Sequence, residues 1–144
     1  MENKKIGKAY AFFDSDASYE ELERDMPEIR DYAQTSEGLQ LLLHRGSSRL
    51  QVSDRPDTLT KEPKDYRVLS SRLSGGVARE RKSLERMDYV LEASCEGMSN
   101  ERVAGELGDV LNTIYRMYDE DSGQFNGAVV YEDNGEFVFR RWFR

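Results

Sequence analysis

The sequence predicts an α+β fold: a single domain over residues 1–144, with an antiparallel or mixed sheet, amphipathic helices packed on one face and a C-terminal β-hairpin. Three observations carry this expectation. Apolar spacing along the chain reads β, α, β(β), loop, α, α, β, β, so hairpin connections outnumber parallel crossovers. A chain of 144 residues suits one domain and is long enough to bury a core. The end of the chain alternates cleanly, with Val129 and Tyr131 before a turn and Phe137 and Phe139 after it; Asn134-Gly135 supplies the residues that tolerate positive φ.

Residues 5–13, "KIGKAYAFF", carry apolar groups on both faces, which suits a central strand buried on both sides. Residues 18–34 place Leu22, Met26, Ile29 and Ala33 at helical steps, with acids between them. Pro27 lies inside that pattern and predicts a kink or two consecutive short helices. Residues 38–46 are open to two readings: Leu39, Leu41 and Leu43 alternate as in a strand, whereas leucine is also a good helix former; Gly38, placed to end the preceding helix, favours the strand. "SSRLQVSD" is placed to pair with this strand as a hairpin, and Ser53 to Asp65 reads as a loop. Two helices are then expected. Residues 76–97 set Val77, Leu84, Met87, Leu91 and Cys95 on one stripe; residues 99–118 set Val103, Leu107, Leu111, Ile114 and Tyr118 on another, capped by Ser99.

Composition restricts function. Charged residues make up 34% of the chain, and its longest apolar stretches, "AYAFF" and "LLL", fall far short of the roughly 18 residues a spanning helix needs. The lysines of "MENKKIGKAY" precede no apolar secretory core, so no signal peptide is expected. A lone cysteine, Cys95, cannot staple the fold, which points to a reducing, cytoplasmic setting. The net charge of −7 is segregated. Residues 14–37 hold nine acids against Arg24 and Arg30, whereas residues 45–86 hold eleven basic residues against six acids. This alternation places the basic stretch near an acidic one, in the same chain or in a second copy.

Four motifs bear on chemistry. "FFDSDAS" resembles the first motif of the haloacid dehalogenase phosphatases, in which an apolar strand ends in Asp-x-Asp. The resemblance implies a nucleophilic Asp14 and an acid/base Asp16, with Asp109 of "GDVLN" in a metal-binding place. Ala17-Ser18 stands where that family has Gly-Thr, and the residues before Asp109 read as helix rather than strand. The same letters also form a turn and a cap. Ser18 with Glu21 makes a capping box, and Asp14, Ser15 and Asp16 favour turns by bonding nearby backbone. The turn-and-cap reading is the one expected.

"SNERVAGELGDVLNTIYRMY" resembles a helix-turn-helix, with Ala104, Gly108 and Ile114 at that family's spacing. The resemblance implies a winged-helix regulator whose Asn112, Thr113 and Arg116 face DNA. Val110 and Leu111, however, occupy the position of a polar turn, and the apolar stripe continues through Gly108. The wing tip would carry Glu132, Asp133 and Glu136, which repel phosphate. One continuous helix is therefore expected. In "SGGVARERK", Gly75 and Gly76 precede a helix followed by Arg79, Arg81 and Lys82, an arrangement open to an anion, but the phosphate-loop spacing is absent. His44, the only histidine, has no neighbouring Cys, and no zinc spacing occurs, so neither metal nor cofactor is expected. Cys95 and Trp142 read as core.

The leading expectation is a small acidic, non-catalytic protein-interaction or regulatory domain, with a homodimer as its first candidate partner. The final strand, 136–144, adds Phe137, Phe139, Trp142 and Phe143 to an edge guarded by Arg140, Arg141 and Arg144. A winged-helix regulator and a metal-dependent phosphohydrolase using Asp14 and Asp16 are the alternatives; no membrane partner is expected. If Ser18 is a cap, Ser18→Ala lowers stability by about 1 kcal/mol, as urea denaturation will measure; an unchanged midpoint would remove the cap.

Overall fold

The structure, a computed structural model, describes residues 5–45, 87–122, 125–134 and 136–143. In chain order its elements are β1 (Ile6–Asp14), α1 (Tyr19–Ala33), β2 (Gln40–Arg45), β3 (Tyr89–Glu96), α2 (Asn100–Ile114) with a π-helical turn (Tyr115–Asp119), β4 (Asn126–Asp133) and β5 (Glu136–Phe143). The sheet order is β2-β3-β1-β4-β5, and every neighbouring pair is antiparallel. The connections β1-α1-β2 and β3-α2-β4 each step over one strand, so two βαβ units interleave in the split βαβ arrangement. The fold is α+β, with both helices contributing to one core on one face of the sheet.

β1 is central and buried on both faces, as its uninterrupted apolar run requires. Ala9, Ala11 and Phe13 face the helices and join Leu22 and Ile29 of α1 and Val103, Leu107, Leu111 and Ile114 of α2. The alternate residues Tyr10 and Phe12 are buried on the opposite face. The close seating of β1 depends on Gly7. A Cβ there would lie 2.5 Å from the Met98 carbonyl oxygen and 2.7 Å from that of Ser99. At the next residue, the Asn100 side chain accepts the Lys8 N–H at 2.8 Å and donates to the Glu132 carbonyl at 2.8 Å. The β1–β4 register, Tyr10 opposite Val130, would bring Lys8 opposite Glu132. The Asn100 amide thus takes the place of a ladder bond where the paired strands end.

α1 begins with Ser18 as N-cap and a complete capping box with Glu21. It runs through Pro27 as one fifteen-residue helix, not two. Pro27 and Glu23 are both on the exposed face, so the carbonyl that loses its partner meets water, while Leu22 and Ile29 hold the buried face in register. The helix stops at Gln34, in the left-handed conformation at φ 57°, and not at Gly38. β2 follows as expected.

The predicted helix over 76–97 is overturned in its described part, where residues 89–96 form β3. Val77 and Leu84 lie outside the described residues. The helical stripe Met87, Leu91, Cys95 is also a subset of the alternating set Met87, Tyr89, Leu91, Ala93, Cys95, and all five are buried. Val90 is buried on the other face, which then carries Glu92, Ser94 and Glu96, so the alternation of a half-exposed strand begins only at Leu91. After it, Gly97 turns the chain at φ 83°, a conformation unfavourable for residues with a side chain. The expected hairpin partner "SSRLQVSD" and the loop from Ser53 to Asp65 lie outside the described residues.

α2 is unbroken through Gly108 and Leu111, with Ser99 capping it by accepting the Arg102 N–H. β4 and β5 pair with Asp133 opposite Glu136, and Asn134 takes φ 52° beside the turn. Among the described residues no helix is long and apolar enough to cross a membrane. Because Gly7 has no space for a methyl group, Gly7→Ala is expected to cost about 1–3 kcal/mol, the range for overpacking; a wild-type urea midpoint would contradict the close approach of β1 to the β3–α2 connection.

Candidate functional site

The turn between β1 and α1 holds the residues with the strongest chemical signature in the sequence. The fold engages Asp14 and Ser15 through their side chains and Asp16 through its backbone N–H, the Asp16 side chain being exposed. The Asp14 carboxylate, at the end of β1, accepts the backbone N–H of Asp88 at 2.8 Å. Ser15 donates its hydroxyl to one oxygen of Asp119 at 2.7 Å, and the Asp16 N–H donates to the other at 2.6 Å. The Ser15 oxygen in turn accepts the Ala17 N–H at 3.1 Å. Tyr89 of β3 closes the arrangement by donating to the Ala17 carbonyl at 2.6 Å.

Asp119, which no sequence motif singled out, organises this turn. It ends the π-helical turn after α2 and is only 1% exposed. Burial pushes its carboxyl above the ordinary carboxylate range, and the donors Asp16 N–H and Ser15 hydroxyl pull in the opposite direction. Burial likewise raises Asp14, against the lowering effect of the Asp88 N–H. "YDEDSG" gave no means of separating Asp119 from its solvated acidic neighbours, because contact with residues over a hundred positions away is a tertiary matter.

The carboxylates do not converge on a common centre. Asp109, the expected partner of Asp14 in a phosphatase site, is exposed on α2, with a helix and not a strand before it. Among the described residues no group of three or more His, Cys, Asp or Glu is placed to hold a metal ion. Of the residues the helix-turn-helix resemblance assigned to DNA, Asn112 is half-buried and Thr113 is buried, donating its hydroxyl to the Asp109 carbonyl at 3.0 Å. Arg116 is exposed on the π-helical turn. The anion set Gly75, Gly76, Arg79, Arg81 and Lys82 lies outside the described residues.

Two places were not legible in the sequence. His44, on β2, is in hydrogen-bond contact with Glu92 of β3, and both side chains are largely buried. The pair lies on the sheet face away from the helices, next to a shallow cavity of about 280 Å³ lined by Lys8, Tyr10, Gln40, Leu42, Glu92 and Ser94. A second, more open cavity of about 510 Å³ lies at the end of α1, between Met26, Arg30, Gln34 and Ser36. Ser36 is anchored by Glu106 of α2, and the Arg30 guanidinium donates to the Leu39 carbonyl. Neither cavity gathers the nucleophile, base and anion-stabilising donors of a catalytic centre. Comparison with protein-family profiles, curated proteins and solved structures finds no match.

Two outcomes are expected. Asp119→Ala leaves the Ser15 hydroxyl and Asp16 N–H without their acceptor and costs about 2–3 kcal/mol. Asp119→Asn keeps an acceptor for Asp16 and a donor for Ser15, and is milder. Because burial raises the Asp119 pKa in the folded state, that state binds the proton more readily than the unfolded chain. Wild type therefore gains on Asp119→Asn as pH falls through the raised pKa, and loses that gain as pH rises. Urea unfolding of both proteins across pH 3–7 checks this; a constant difference would refute it. Separately, magnesium-dependent hydrolysis of a generic phosphate ester is expected to be absent in wild type and Asp14→Asn alike, and turnover lost in the variant would restore a catalytic turn.

Proposed function

We propose that this chain is a non-catalytic protein-interaction domain that associates with a second copy of itself through β5. The observation that carries the reading is the position of that strand. β5 is eight residues long, ends the sheet, and pairs along its length with β4; among the described residues nothing pairs with its other side. A long edge of backbone N–H and C=O groups is a template for another strand. An identical strand laid antiparallel satisfies both edges at once and closes the assembly with two-fold symmetry.

Electrostatics support a backbone interface over a charge-paired one. Arg140, considered above as an edge guard, meets Glu101 of α2 at 3.1 Å and the Tyr131 hydroxyl at 3.0 Å within its own chain. Arg45, from the basic stretch, pairs with Glu20 of the acidic one. Charges neutralised inside the chain contribute little to an interface, and exposed pairs are weak in any case. The single cysteine, buried in β3, fits a reducing cytoplasmic setting, which belongs to the same proposal.

Sedimentation equilibrium at several concentrations and two salt levels tests the reading. The expected result is a mass near twice the 16.7 kDa chain, little changed by salt. A mass that stays at one chain throughout would overturn self-association. A dimer that dissociates as salt rises would replace the strand edge with a charge-paired interface.

A further inference from the structure

We draw no further inference here: the strongest candidate, the sheet face away from both helices, where Tyr10, Phe12, Val90, Ala128 and Val130 are buried beside the cavity lined by Lys8, Glu92 and Ser94, carries no proposal because nothing among the described residues shows what covers it.

Discussion

β1 is hydrogen-bonded on both sides, to β3 and to β4, and this constraint locates every other described element. A strand with neighbours on both edges and side chains buried on both faces has no polar row, so its sequence reads as one apolar run. With β3 and β4 both alongside it, α1 must carry the chain past β3 to reach the position of β2. α2 must likewise carry it past β1 to reach β4. Both crossings use the same face, and the helices meet there over Ala9, Ala11 and Phe13. The small side chains of Ala9 and Ala11 leave room for α2, and Gly7 allows the β3–α2 connection to close over the end of the strand.

The β1–α1 turn shows how the fold engages a motif with a chemical signature. Asp14, Ser15 and Asp16 leave a buried strand with several backbone donors to satisfy before α1 begins. Asp119 accepts from two of these residues, Asp14 accepts from Asp88 just ahead of β3, and Ser18 with Glu21 covers the first turn of the helix. A carboxylate committed to backbone donors is fixed in direction, whereas a nucleophile must face an open space with a metal or cation beside it. The π-helical turn matters here because it brings Asp119, and not its exposed neighbours Glu120 and Asp121, into the turn.

Charge segregation along the sequence finds partial use within the chain. Glu20 with Arg45 and Glu101 with Arg140 each join elements distant in sequence. Tyr118 of the π-helical turn donates to Asp25 of α1, and Ser36, just after α1, donates to Glu106 of α2.

The sequence by itself determined the α+β class, the central burial of β1 and the capping box that starts α1; it favoured a strand within 38–46 and one continuous helix over 99–118, and the structure chose between those and their alternatives. Each rests on local periodicity or on a side chain bonding its own neighbourhood, so the signal lies within a few residues. The reading of residues 89–96 as helix failed because Met87, Leu91 and Cys95 fit both a helical stripe and an alternating row, although Glu92, Ser94 and Glu96 alternate with Leu91, Ala93 and Cys95 as a strand requires. The positions of β1 and β2 on either side choose between them. The sequence could not reveal Asp119 as the acceptor of the β1–α1 turn, or Glu92 as the partner of His44, since both contacts join segments dozens of residues apart. The candidate site was legible as residue types and as a cap. That the Asp14 carboxylate accepts the Asp88 N–H and that the buried Asp119 accepts from Ser15 and Asp16 was decided by the tertiary structure, which alone sets the distances between groups that the chain keeps far apart.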